Sequence, residues 1–243
     1  MAVAAVILLA ACGASPSVST TSIPIGGSTP APSSEVPMLR YVALGDSFTI
    51  GTSVGAAERW PEQLVARLAA RPSARTLELA ANLGVNGYTT RNVIDRELPA
   101  LDGLAPGFAS LMIGVNDVVQ GAVETKVASN IDTILDGLLA RLPAGRIVCI
   151  DTPDYTVTPQ GRLGVYGDPD GQRRAIARVN ARLRTACEAR SIRFVDGIFA
   201  ISEDAATDPS LVADDGLHPS GAQYRRWVEE RIEPAVRELL DAP

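Results

Sequence analysis

Histidine, cysteine and lysine are all scarce in this sequence, and each scarcity excludes a class of site. A single histidine rules out a histidine-rich metal site, and no two of the three cysteines stand at the spacing of a zinc site. Lysine is nearly absent, no run of basic residues occurs, and the net charge is −6. A chain of this charge is not expected to bind the phosphate backbone of a nucleic acid.

The remaining composition is that of an ordinary globular protein. Hydrophobic residues make up 46% of the 243 residues and charged residues 21%. This length is sufficient for one domain with a complete core, and the sequence shows no internal repeat. We therefore expect a single folded domain over residues 39–243, preceded by a leader and a tether.

The first 38 residues have the composition of a targeting segment followed by a linker. Residues 2–11 form an apolar run with the length of a signal-peptide core, too short to span a bilayer. The stretch LAAC that ends at Cys12 resembles the bacterial lipobox, in which the cysteine is lipidated. Residues 13–38 are rich in Ser, Thr, Pro and Gly, which predicts a disordered tether. These features predict a leader over 1–12 and an extracytoplasmic lipoprotein anchored to the membrane through Cys12. The alternative is a plain secretory signal.

Apolar runs and helical periodicity alternate along the rest of the chain. Short apolar runs predict five strands, at 39–44, 76–82, 108–115, 146–150 and 192–195. Helical spacing predicts helices at 60–71, 91–98, 123–142, 172–190 and 219–240, and Pro99 is expected to stop the second of them. Apolar strands that alternate with helices indicate a parallel sheet covered on both faces. We expect an α/β fold, a three-layer αβα sandwich around a five-stranded parallel sheet.

Four polar clusters carry the candidate chemistry. Three of them follow predicted strands, namely GDS at 45–47, NLGVNGYTT at 82–90 and GVND at 114–117, and the fourth is DGLH at 215–218. Because the carboxyl ends of parallel strands share one edge of a sheet, we expect the clusters to converge there. Taken singly, each has an ordinary interpretation as a turn or a helix cap.

Taken together and in this order, the clusters resemble the sequence blocks of the SGNH (GDSL-type) hydrolase superfamily. Block I is similar to the segment that ends at Ser47, block II to the segment containing Gly87, and block III to the segment containing Asn116. Block V is similar to Asp215 and His218. The resemblance covers about residues 39–240. It implies the flavodoxin-like fold of that superfamily and a serine esterase with Ser47 as the nucleophile.

The residue types themselves suit acyl transfer. A serine hydroxyl such as that of Ser47 is a weak nucleophile until a base removes its proton, and His218 is the only imidazole available. Asp215, three residues earlier, is placed to orient the imidazole and to stabilise its charged form. Asp214 competes for this role, and the spacing in the superfamily favours Asp215.

The resemblance also implies an oxyanion hole, formed by the backbone N–H groups of Ser47 and Gly87 and by the side-chain amide of Asn116. A side chain at position 87 is expected to obstruct the close approach of the backbone to the substrate. Asp46 and Asp117 are expected to brace the loops rather than to contact the substrate.

Other residues have both a functional and a structural interpretation. Several aromatic side chains either line an acyl pocket or pack in the core, and the long loop at 152–168 is placed to shape that pocket. The aromatic residues in question are Phe48, Trp60, Tyr88, Tyr155 and Tyr166. Cys149 and Cys187 either form a disulfide, which would link the fourth strand to the following helix, or stay as buried free thiols.

The leading functional prediction is a hydrolase that cleaves carboxylic esters through an acyl-enzyme, with no cofactor and no metal. Its substrate would be a lipid ester, a small acyl ester or an acetylated sugar. The alternatives are an acyltransferase or a polysaccharide deacetylase that uses the same residues, and a non-catalytic binding lipoprotein of the cell envelope.

Overall fold

The computed structural model describes residues 36–71 and 73–242. The strands in this part of the chain are β1 (Met38–Gly45), β2 (Thr76–Asn82), β3 (Phe108–Met112), β4 (Ile147–Ile150) and β5 (Arg193–Val195). The helices are α1 (Ser47–Ile50), α2 (Trp60–Ala69), α3 (Thr90–Asn92), α4 (Leu98–Leu104), α5 (Val115–Val119), α6 (Glu124–Leu139), α7 (Pro159–Arg162), α8 (Pro169–Glu188), α9 (Ile198–Ser202), α10 (Gly221–Trp227) and α11 (Glu233–Asp241). Two π turns, Val93–Glu97 and Val228–Ile232, join α3 to α4 and α10 to α11.

The predicted leader at 1–12, including Cys12, lies outside the described residues, as does the predicted tether as far as residue 35. Met38, which the sequence places at the end of the tether, instead begins β1. The folded part of the chain therefore starts slightly earlier than its composition indicates.

The five strands form one sheet in the order β2-β1-β3-β4-β5, and every neighbouring pair is parallel. This confirms the predicted α/β fold with a five-stranded parallel sheet. The order is that of flavodoxin-like sheets, in which the winding of the chain reverses between β1 and β3. The carboxyl ends of these two strands border the crevice where such folds bind ligands.

Alternate side chains of β1 enter two separate cores. Tyr41 and Ala43 pack on the side of α2, α10 and α11, and Val42 and Leu44 pack on the side of α4, α6 and α8. The helix predicted at 123–142 contains α6, whose apolar stripe is buried in the second core, as Val127, Ile131, Ile134, Leu135 and Leu138. The two helical layers and the sheet between them are the predicted three-layer sandwich.

The expectation that Pro99 stops its helix is wrong, because the helical segment continues to Leu104. A proline inside a helix lacks an N–H, and its ring clashes with a carbonyl four residues earlier. The π turn that precedes Pro99 makes the backbone wider at this point, with the Leu98 N–H bonded to the Val93 carbonyl five residues back. Pro234 follows the second π turn at the same spacing, so a π turn accommodates the proline in both helical segments.

Strand β3 ends earlier than the apolar run predicts. The run extends to Val115, but Met112 is the last residue of the strand. Gly114 adopts a φ of +126°, and a Cβ there would lie only 2.6 Å from Val179 Cγ1. The chain turns at this glycine, and Asn116 is therefore carried by α5 rather than by the strand.

Cys149 and Cys187 are free thiols, and both are buried in the second core. Of the two alternatives for this pair, the structure has buried free thiols and not a disulfide. The hydrogen bond with Cys187, together with burial, raises the pKa of the Cys149 thiol. This thiol therefore stays protonated at neutral pH.

None of the described helices is long and apolar enough to cross a membrane.

The state of these cysteines can be tested with the Cys12→Ser chain. Unfolded in guanidinium without reductant, it should give two thiols per molecule with Ellman's reagent, because both remaining cysteines are free. The folded protein should react very slowly, since neither side chain has any exposed surface. Thiols that appear in the unfolded chain only after reduction would show a disulfide and contradict the structure.

Candidate active site

Ser47 is the first residue of α1, immediately beyond the end of β1. The Asp46 side chain caps this helix by accepting a hydrogen bond from the Phe48 N–H at 3.0 Å. Gly45 allows the close approach of β1 to its neighbour, because a Cβ there would lie 2.4 Å from the Met112 carbonyl oxygen. Ser47 is thereby held, largely buried, at the carboxyl edge of the sheet.

Ser47, Asn116 and His218 line one cavity of about 60 Å³. The ring centroids of Phe48 and His218 are 5.5 Å apart, so the imidazole packs against an aromatic side chain from α1. The cavity is otherwise lined by apolar and aromatic side chains, Phe48, Val115, Val119, Tyr155, Tyr166 and Leu217. Three of the predicted site residues, from separate parts of the chain, thus meet at one cavity.

Asp215 is the carboxylate that contacts the imidazole, with 2.6 Å between its Oδ2 and His218 Nδ1. Its Oδ1 accepts the backbone N–H groups of Leu217 and His218, and Ser53 Oγ donates to Oδ2 at 2.7 Å. Partial burial raises the pKa of Asp215, but the hydrogen bonds from His218, Ser53 and the backbone outweigh it and lower the pKa to about 2. The competing Asp214 is exposed. Asp215 is therefore an anion at neutral pH in direct contact with Nδ1 of the His218 ring.

Asn116, in α5, and Gly87, in the segment after β2, lie on neighbouring parts of the site that are joined by hydrogen bonds. Asn116 Nδ2 donates to the Tyr88 carbonyl at 3.0 Å and, at 3.4 Å, to Asp46 Oδ2. Gln120 Nε2 donates to the Gly87 carbonyl at 2.9 Å. Gly87 has a φ of +79°, and a Cβ there would meet nothing within 4 Å. The backbone conformation, rather than a lack of space, therefore accounts for glycine at this position.

Comparison with known families gives one match over most of the chain. The model of the GDSL-like lipase/acylhydrolase family matches residues 43–226. The chain belongs to this family. The resemblance predicted from the four polar clusters is thus confirmed, and the GDSL-like protein is a carboxylic ester hydrolase. No curated protein matches its sequence.

Solved structures with the same fold include several esterases. TesA superposes with a TM-score of 0.63 at 18% identity, over 83% of this chain and 99% of TesA. A catalytic mutant of Axe2, an acetylxylan esterase from Geobacillus stearothermophilus, gives 0.62 at 18% identity, over 84% of this chain and 95% of Axe2. The psychrotrophic esterase EstA from Pseudoalteromonas sp. gives 0.62 at 17% identity, over 84% of this chain and 99% of EstA. At these identities the likeness establishes a shared fold.

The aromatic residues singled out in the sequence fall into three groups in this GDSL-like hydrolase. Phe48, Tyr155 and Tyr166 line the cavity beside Ser47. Trp60 is completely buried in the first core, away from the cavity lining. Tyr88 takes part through its backbone carbonyl, which accepts the Asn116 amide.

Three buried carboxyl groups, those of Asp46, Glu97 and Asp117, support the backbone around the GDSL-like site. Glu97 Oε2 accepts the Gly45 N–H at 2.9 Å, immediately before the segment that carries Ser47. Asp117 accepts both the N–H and the hydroxyl of Thr90, at 2.8 and 2.6 Å, and so ties α5, which follows β3, to α3, which follows β2. Asp117 and the helix-capping Asp46 therefore brace the loops, as the sequence predicts.

Burial dominates the electrostatics of this carboxyl cluster. It raises the pKa of Asp46 to about 7 and that of Glu97 to about 9, and it also raises the pKa of Asp117. Charge repulsion contributes in the same direction, between Asp117 and Asp46 and between Asp46 and Glu97. Glu97 is therefore a neutral acid at pH 7.

Among the described residues, no three His, Cys, Asp or Glu side chains are grouped to hold a metal ion.

Sequence reasoning missed Glu97 and Ser53. Glu97 stands four residues after Val93 and four before Leu101, so it occupies a position on the buried stripe of its helical segment. A single acidic residue on an otherwise apolar helical stripe is the signal by which Glu97 could have been found. Ser53 has no such signal, because its contact with Asp215 spans 162 residues.

We predict that Glu97→Gln makes stability less dependent on pH. Glutamine keeps an oxygen that can accept the Gly45 N–H but cannot ionise. Since the pKa of Glu97 is raised on folding, the wild-type free energy of unfolding falls as pH rises from its unfolded pKa towards about 9. The advantage of the variant should therefore grow between about pH 5 and pH 9 and exceed about 1.4 kcal/mol, the linkage of one pKa unit.

Urea denaturation at several pH values measures this difference. The matched control is Glu78→Gln, which replaces an exposed glutamate on β2. Stability curves of Glu97→Gln and wild type that run parallel over this pH range would show that Glu97 ionises normally.

Proposed function

We propose that this protein hydrolyses carboxylic esters through an acyl-enzyme, with Ser47 as nucleophile, His218 as general base and Asp215 as the group that orients the imidazole. The observation that carries the proposal is the 2.6 Å contact between Asp215 and His218, on an imidazole that lines the same cavity as Ser47. The family supports ester cleavage in general, and the site supports this division of roles.

In the proposed reaction, His218 Nε2 takes the proton from Ser47 Oγ as that oxygen attacks the ester carbonyl. The tetrahedral intermediate then expels the alcohol, which receives the proton from the imidazolium. A water molecule, deprotonated by the same imidazole, attacks the acyl-enzyme and releases the carboxylic acid and Ser47. Asp215 stays ionised throughout because its pKa is about 2. No hydrogen bond joins Ser47 Oγ to His218 among the described residues, an arrangement that commonly tightens when substrate binds.

The proposed oxyanion hole consists of the backbone N–H groups of Ser47 and Gly87 and the Asn116 side-chain amide. Each such donor typically contributes about 3 kcal/mol to transition-state stabilisation. Asn116 Nδ2 has two hydrogens, and its bond to the Tyr88 carbonyl fixes the amide. The longer contact with Asp46, at 3.4 Å, is the one that a developing oxyanion would replace.

We expect Ser47→Ala and His218→Ala each to reduce kcat/KM for p-nitrophenyl acetate by at least about 10³-fold, because no second serine–imidazole pair exists in a chain with one histidine. Asp215→Asn should also reduce kcat, since it removes the anion beside Nδ1. Asp214→Asn is the matched control and should retain activity, because Asp214 is exposed. Thermal melts by circular dichroism verify folding of each variant. Residual activity of His218→Ala within a few fold of wild type would refute the assignment of the base.

The same site also supports a proposal for the substrate class. Axe2 is an acetylxylan esterase, and its fold is shared by this chain. We propose that small acyl esters and acetylated sugars are substrates, because a small cavity with apolar walls accepts a short acyl group beside Ser47.

We further propose that the enzyme is an extracytoplasmic lipoprotein held to the membrane by Cys12. The support is the apolar run at 2–11 and the LAAC stretch that ends at this cysteine. Labelling of cells with a radioactive fatty acid should mark the wild-type protein and not Cys12→Ser. The matched control is Cys187→Ser, in the folded domain, which should leave labelling unchanged. Equal labelling of wild type and Cys12→Ser would exclude this anchor.

A further inference from the structure

One wall of the active-site cavity consists of two tyrosines in perpendicular contact. The ring centroids of Tyr155 and Tyr166 are 5.7 Å apart and their planes form an angle of 89°. Tyr155 is almost completely buried, and its hydroxyl donates to Gln172 Oε1 on α8 at 3.1 Å. Tyr155 is therefore a fixed support against which the ring of Tyr166 packs.

The cavity is small for the group that it must hold. Its volume of about 60 Å³ is well below the range typical of small-molecule sites, and it includes the space around Ser47 and His218 where the ester itself must lie. Phe48 and Val115, which also line the cavity, are buried in the first core. These walls cannot retreat without repacking of the core, so they do not widen the cavity for a longer chain.

Tyr166 is the wall residue that is not anchored in the core. It is 38% exposed, and its neighbours Leu163 and Val165 are 73% and 66% exposed. The glycines on either side of it, Gly164 and Gly167, have φ values of +68° and +119°. The segment 163–167 therefore runs over the surface, and its one contribution to the cavity lining is the ring of Tyr166.

We propose that Tyr166, supported by Tyr155, closes the acyl end of the cavity and restricts the enzyme to esters of short acyl chains, about two to four carbons long. This inference rests on the proposed role of Ser47 as the nucleophile. Removal of the Tyr166 ring opens the wall towards solvent and the apolar surface of Leu163 and Val165. A longer acyl chain could then leave the cavity along that surface.

The test compares p-nitrophenyl acetate, butyrate and octanoate, each below its critical micelle concentration, with the full chain. We expect wild-type kcat/KM for acetate to exceed that for octanoate by at least about 100-fold, since a single methylene in a closed pocket is worth about 10-fold or more. Tyr166→Ala should raise kcat/KM for octanoate at least about 10-fold and so lower the acetate-to-octanoate ratio. Tyr166→Phe, which keeps the ring, should keep the wild-type ratio.

Leu163→Ala is the matched control, because it removes an exposed apolar side chain from the same segment without changing the cavity lining. Its ratio should equal that of wild type, and an equal shift in Leu163→Ala and Tyr166→Ala would assign the effect to the segment and overturn the proposal. Wild-type cleavage of octanoate as fast as acetate, or an unchanged ratio in folded Tyr166→Ala, would also overturn it. Activity of Ser47→Ala on all three esters would instead refute the proposed nucleophile.

Discussion

The hydrogen bond from the Gly45 N–H to the buried Glu97 carboxyl holds the carboxyl end of β1, and the active-site edge is built from that point. Gly45 ends β1, which lies between β2 and β3 where the winding of the sheet reverses. The helix cap Asp46 and the proposed nucleophile Ser47 follow at once, so a shift of Gly45 would displace both. The bonds of Asp117 secure the neighbouring loops in the same region.

Two carboxyl groups near the site have pKa values displaced in opposite directions, and their surroundings explain the difference. Asp215 accepts hydrogen bonds from two backbone N–H groups, Ser53 and His218, and its pKa is about 2. Glu97 is more deeply buried, accepts one backbone N–H and has a pKa of about 9. The negative charge therefore lies beside the imidazole, where a cation would form in the proposed mechanism. Glu97, which supports the end of β1 behind Ser47, stays neutral and so does not repel a developing oxyanion.

The apolar patterns of the sequence predicted strands and helices correctly where the backbone stays regular. The predicted strand at 76–82 coincides with β2, and the predicted helix at 123–142 contains α6, whose apolar stripe is buried. The prediction failed at Pro99, because a preceding π turn accommodates the ring, and at the end of β3, because Gly114 turns the chain early. The first exception is a local widening of the helix that apolar spacing does not reveal, and the second is a glycine at which the backbone turns against Val179.

The sequence by itself determined the order of the polar clusters, the alternation of strands and helices, and the identity of the only imidazole that can serve as base. These properties are local, or follow from a count of residues. The tertiary structure decided that Asp215 rather than Asp214 contacts His218, that Glu97 supports Gly45 across 52 residues, and that Ser53 reaches Asp215 across 162. It also decided that Tyr155 and Tyr166 form a wall of the cavity. Burial and contact between residues distant in the chain arise only when the sheet and its two helical layers have assembled.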